Sequence, residues 1–251
     1  MMKDSRKMTL LEHLNDLRKR FIIVLVTFIL SFAGALVFVR PLYYWLINDL
    51  NIRGKLTVLG PTDIIWVYFM LAGVAAIGVT IPIAAWQLWL FVSPALTEKE
   101  RKIALAYIPS IFLLFFCGIL FGYFVVFPNI LHFLVAMNAG MFTVMFTTEK
   151  YFSFLLNIVL PFGFLFELPV VVVFLTNLGI LTPARMRKMR KASYLSLVIL
   201  ATMISPPDFV SHSLVAVPLL LLYEISVTFS AVAYRRKQKR MRAAEKGLPA
   251  S

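Results

Sequence analysis

From Ile103 to Thr148 the chain carries no Asp, Glu, Lys or Arg, and a second stretch, Ile64 to about Val92, is likewise uncharged. A helix needs about 20 apolar residues to cross the hydrocarbon core of a bilayer, and these stretches exceed that length. Within hydrocarbon every backbone N–H and C=O must be paired inside its own segment, so such runs are read as helices. With 61% of residues hydrophobic and only 15% charged, a soluble fold is excluded. The expected class is an all-α, polytopic membrane protein with one compact helical domain.

Residues 1–20 are polar and basic and lack the pattern of a cleavable signal peptide. Thr9-Leu-Leu-Glu12 has the form of a capping box that opens a helix. Leu10, Leu11, Leu14 and Leu17 then share one face, apart from Glu12, Asp16, Lys19 and Arg20. This first segment therefore reads as an amphipathic helix at the membrane surface.

Residues 21–234 are expected to hold six spans. The first is roughly Phe21–Val39, with an extramembrane stretch after it, Arg40–Asp63, in which Tyr43, Tyr44 and Trp45 suit the interface. The second is Ile64–Val92, kinked at Pro82. The third is expected to end near Phe127, because Pro128, Asn129, His132, Asn138 and Gly140 break up the second half of the uncharged run. The fourth runs about Tyr151–Asn177. A fifth apolar run, Ala192–Ser205, has only 14 residues. As a helix it reaches about 21 Å, short of a hydrocarbon core of about 30 Å. The sixth is Ser213–Tyr234, and residues 235–251 form a basic tail.

Six spans place both termini on one side. That side carries 6 Lys and Arg in residues 1–20, 3 in 93–102, 5 in 185–191 and 7 in the tail, which is 21 of 25. By the positive-inside rule the termini are cytoplasmic. The net charge of +13 thus reports orientation and contact with anionic lipid rather than nucleic acid.

Against this background the acids stand out. Glu167 is the one charged residue between Pro161 and Leu175. An acid there is costly in hydrocarbon and is expected to face protein or a wet cavity. Glu224 is a second intramembrane acid. Pro206-Pro207-Asp208 stops the short fifth run. That shortness either draws Asp208 and His212 into a partly wet face or leaves the motif as a plain external turn. Asp16 and Glu100 are placed to accept a guanidinium in bidentate fashion. Equally, Asp16 can pair with Arg20 at i,i+4, and Glu100 with neighbouring bases. No phosphate-binding Gly loop, His-Glu-x-x-His pair or Gly-x-Ser-x-Gly elbow occurs. His13, His132 and His212 are scattered and Cys117 is alone. No enzyme, metal or cofactor is expected.

Five ordered motifs carry a resemblance. They are Leu11-Glu-His-Leu-Asn-Asp-Leu-Arg-Lys-Arg20, Phe91-Val-Ser-Pro-Ala-Leu-Thr-Glu-Lys-Glu-Arg101, Phe121-Gly-Tyr-Phe-Val-Val-Phe-Pro128, Phe164-Leu-Phe-Glu-Leu-Pro169 and Ser205-Pro-Pro-Asp-Phe209. Together they resemble the TatC family, the multispanning subunit of the twin-arginine protein translocase, over about residues 9–234.

The resemblance implies a receptor in the bacterial cytoplasmic membrane for signal peptides with paired arginines. With a single-span TatA-type partner, and with or without a TatB-type one, it would export folded proteins on the proton-motive force, within a larger self-associated complex. It implies a concave, glove-like wall of six helices with short fifth and sixth members. It assigns the twin-arginine contacts to Asp16, where the family usually has Glu, and to Glu100, and it marks Arg18 as needed for function. It places Glu167 in a polar patch that receives a partner's helix, continued by Thr202, Ser205 and His212. Asp208, Pro206, Pro207 and Glu224 complete the candidate residues.

A proton-coupled small-solute transporter would also place acids at Glu167 and Glu224, but no internal repeat is seen. An intramembrane protease would need facing aspartates or a Ser/His pair in the spans, which carry neither.

Overall fold

The computed structural model describes residues 10–49, 56–93, 105, 107–138 and 145–245. Thr9 and Glu100 lie outside them. The chain divides into two compact units, residues 1–51 with 68–108 and residues 52–67 with 109–251.

In the first unit helix α1 runs unbroken from Leu10 to Asp49. The amphipathic start and the first span are one rod, and Arg40–Asp49 extends it past the expected end of the span. Helix α2, Pro61–Val92, belongs to this unit from Tyr68 on, and that part lies antiparallel to α1. Arg20 donates to the Gln87 side-chain oxygen Oε1 at 3.5 Å, the Phe32 and Phe69 rings lie 5.8 Å apart, and Arg40 donates to the Tyr68 hydroxyl at 3.3 Å. Twenty residues separate the two arginines, about 30 Å of helix, which matches a hydrocarbon core.

The second unit opens with strand β1, Leu56–Thr57, which pairs in parallel with β2, Phe146–Thr147. Helix α3, Tyr107–Phe121, which belongs to this unit from Pro109 on, passes through a π-helical turn, Gly122–Val126, into α4, Phe127–Met137. The helix does not stop at Phe127, the expected end of the third span: the rod continues through Pro128 to Met137. Proline lacks an N–H and crowds the carbonyl one turn back, which usually breaks a helix. Here the wide turn absorbs both effects. The Phe127 N–H bonds the Gly122 carbonyl, and the Asn129 side-chain amide donates to the Val125 carbonyl at 2.6 Å.

Helix α5, Thr148–Leu165, crosses α3 at very close range. A Cβ on Gly118 would lie 2.4 Å from the Phe162 carbonyl oxygen, and one on Gly163 would lie 2.8 Å from the Phe115 ring. Glycine at both places lets the backbones meet without a cavity, and the buried Phe115, Phe127, Tyr151, Phe152 and Phe162 fill the surrounding space.

Helix α6, Leu168–Leu178, ends at Gly179, whose φ of 84° is left-handed and lets the Ile180 N–H return to the Leu175 carbonyl. Helix α7, Pro183–Lys188, starts on the Thr182 hydroxyl, and α8 spans Arg190–Ile204. Helix α9 is continuous from Phe209 to Glu245, so the basic tail begins as an extension of the last span. The α6–α9 contact is the most extensive in the unit, and the buried hydroxyls of Thr176 and Ser230 meet within it at 2.8 Å.

Among the described residues five stretches are long and apolar enough to cross a membrane: Leu14–Ile47, Pro61–Val92, Tyr107–Met137, Thr148–Leu178 and Phe209–Lys239. Helix α8 has 15 residues, about 22 Å, and agrees with the short fifth run. The all-α membrane class holds.

Candidate functional site

Glu167 sits at a joint in the fourth rod rather than within a continuous helix. Pro169 cannot donate to the Leu165 carbonyl, so α5 and α6 separate at Phe166–Glu167. The Glu167 N–H falls back to the Phe164 carbonyl at 3.1 Å, and its own carbonyl accepts from Val171 at 3.0 Å. The side chain has no such provision. Both carboxylate oxygens are buried without a hydrogen-bond partner, with the Phe115 backbone beside them. Buried polar groups are almost always satisfied, so an acid left without a protein partner stands out.

The turn between α8 and α9 holds the next polar group. Thr202 donates to the Ile199 carbonyl at 2.6 Å and Ser205 to the Ala201 carbonyl at 2.9 Å, so both hydroxyl protons serve α8 itself. Neither Pro206 nor Pro207 can extend that helix, since each lacks an N–H. Asp208 starts the next one: its Oδ1 accepts from the Ser211 N–H at 2.7 Å and its carbonyl from the His212 N–H at 3.1 Å. Asp208 is thus an N-cap, a structural duty that the sequence left undecided. Its Oδ2, the Ser211 hydroxyl and His212 Nδ1 remain buried and unpartnered. Helix α8 packs on α5, and α9 on α6.

Glu224 is different. Arg190 donates to its Oε2 at 2.6 Å and Tyr194 to its Oε1 at 2.5 Å, so both oxygens are engaged. Tyr223 donates to the Met186 carbonyl at 2.9 Å, and its ring stands edge-on to that of Tyr194. Together these contacts hold the α7–α8 corner onto α9. Sequence reading missed Arg190 and Tyr194; the signal was an intramembrane acid in need of a partner and a base within the cluster counted only for orientation.

Asp16 and Arg18 belong to the first unit, and Glu167, Thr202, Ser205, Asp208, His212 and Glu224 to the second. Arg18 is exposed, and Asp16 accepts from Arg20 Nε at 2.7 Å, the local i,i+4 pair. No cluster that could hold a metal ion occurs among the described residues.

Residues 12–218 match the family described as Sec-independent protein translocase protein (TatC). This chain belongs to the TatC family. It is 53% identical to the Sec-independent protein translocase protein TatCd of Bacillus subtilis over 96% of this chain and 99% of that one. It is 40% identical to the TatC of Halalkalibacterium halodurans, over 94% of each. It also resembles a solved structure, the crystal structure of the twin arginine translocase receptor TatC. The TM-score is 0.78 at 31% identity, covering 88% of this chain and 99% of that one. The TatC membership expected from the five motifs holds, and with it a protein translocase component of the membrane rather than an enzyme.

Proposed function

We propose that this TatC chain is the twin-arginine signal-peptide receptor of its translocase, with six spans and both termini in the cytoplasm. Asp16 and Glu100 take the paired arginines there, Arg18 supports them, and the Glu167 joint with Thr202, Ser205 and His212 receives the single helix of a TatA-type partner. The proton-motive force and folded cargo belong to the same reading.

One observation carries the division of labour: Glu167 presents two buried carboxylate oxygens with no partner in its own chain, whereas Glu224 has both oxygens engaged. An unsatisfied buried acid favours an incoming donor, which a partner helix bearing a polar residue supplies. The same contrast weakens the solute-transporter reading, because one of its two acids is committed to an Arg–Tyr clamp. At Asp16 the Arg20 guanidinium occupies the place that a ligand arginine would take. The carboxylate is thereby already oriented toward a guanidinium, and contact through one oxygen leaves bidentate capture to an incoming arginine.

Site-specific crosslinking of a signal peptide bearing Arg-Arg, compared with Lys-Lys, tests the receptor reading. Preferential capture of Arg-Arg, lost in the joint Asp16→Ala and Glu100→Ala variant, is expected. Equal capture of both peptides, or capture indifferent to that variant, would sink it.

A further inference from the structure

The α7–α8 corner gathers five bases around one acid, Glu224, whose oxygens Arg190 and Tyr194 already engage. Arg187, Lys188 and Lys191 are exposed there, and among the described residues only Arg190 of the cluster forms an ion pair. Arg185 is turned back onto the Ile180 carbonyl at 3.2 Å. Two large apolar side chains stand out among these bases, Ile180 at 58% exposure and Met189 at 52%. Water gains nothing from such a mixture, whereas the headgroup boundary of a bilayer accommodates both kinds of group.

The surface along α8 specifies the ligand further. Leu195, Ile199 and Met203 are exposed and come after Lys191 at intervals of four residues, so the four share one ridge of the helix. A cationic head on an apolar ridge is complementary to an anionic amphiphile. Bases at the cytoplasmic boundary of a span are attracted to the phosphates of anionic lipid.

We propose that this corner binds the headgroup phosphate of an anionic phospholipid, with Arg187, Lys188 and Lys191 on the phosphate and Leu195 and Ile199 along an acyl chain. The assignment does not rest on the twin-arginine reading.

The test uses the full-length chain in nanodiscs of phosphatidylglycerol and phosphatidylcholine, with the lipid retained after detergent release counted by native mass spectrometry. Preferential retention of phosphatidylglycerol is expected. The triple variant Arg187→Gln, Lys188→Gln, Lys191→Gln should lower that preference by about tenfold, and the control triple Arg235→Gln, Arg236→Gln, Lys239→Gln by less than about twofold. Leu195→Asn with Ile199→Asn should shorten retention of both lipids, and soluble glycerol phosphate should not compete. Equal loss in the two triple variants would mean diffuse attraction and overturn the site. So would displacement by soluble phosphate, no preference in the unmodified chain, or replacement of the lipid on this ridge by a single-span partner helix.

Discussion

The Arg190 guanidinium reaches the Glu224 carboxylate at 2.6 Å across 34 positions of sequence, and Tyr194 takes the other oxygen at 2.5 Å. One acid therefore fastens the start of α8 to the middle of α9. The pair is partly open, with side-chain exposures of 43% and 36%, so its contribution falls below that of a fully buried pair. Glu224→Ala should cost about 1–2 kcal/mol, read from thermal unfolding in detergent, and Tyr194→Phe should lower the midpoint by less. In a double-mutant cycle the Arg190→Gln and Glu224→Ala losses should fall short of additive. Strict additivity would mean that the contact contributes nothing.

The α3–α5 crossing depends on glycine. Since a Cβ at Gly118 would meet backbone at 2.4 Å rather than a movable side chain, Gly118→Ala must push the helices apart. A loss of about 2–3 kcal/mol in folded stability is expected, as for overpacked cores. Gly34→Ala and Gly78→Ala, with nothing within 4 Å of the added atom, should be neutral or slightly stabilising. Unfolding midpoints for the three variants check this, and similar values for all three would refute the close-crossing account.

How much of this was readable beforehand depended on whether the cause was local. Charge-free length announced the membrane rods, and the 15-residue α8 was visible as a short run closed by Pro206 and Pro207. The continuation through Pro128 was not visible, because the rescue combines a change of hydrogen-bond register at Gly122 with the Asn129 side chain. The Glu167 joint had its signal two residues on, in Pro169, but a run of valines reads as one helix when hydropathy is averaged. Distant pairs such as Arg190–Glu224 and Thr176–Ser230 have no local signature. Asp16–Arg20 did have one, its i,i+4 spacing.

Glu167 should be dispensable for folding and needed for transport. An unpartnered buried carboxyl adds no stability, so Glu167→Gln should leave the unfolding midpoint unchanged and Glu167→Leu should raise it, as expected when an unsatisfied polar group is removed. In reconstituted vesicles Glu167→Ala should still crosslink an Arg-Arg signal peptide while export falls about tenfold or more, the equivalent of one charge-assisted hydrogen bond to a partner helix. Loss of signal-peptide capture with partner assembly intact would reverse these roles.

Arg20 gives the sharpest test at the other site, because it already holds the carboxylate that a signal peptide is proposed to engage. If the two guanidiniums compete, removing the resident one should help the visitor. Arg20→Gln is expected to raise Arg-Arg peptide affinity a few-fold, by freeing a contact of the size of a part-exposed helix ion pair, about 0.5 kcal/mol. Asp16→Ala should lower affinity about ten- to a hundredfold, the range for losing a hydrogen bond to a charged group. Asp16→Glu should retain binding, since the longer side chain keeps the charge and extends its reach by one methylene. Titration of a labelled peptide against the three variants distinguishes competition from cooperation. If Arg20→Gln weakens binding as strongly as Asp16→Ala does, the Arg20 contact positions the carboxylate for its ligand and does not compete for it.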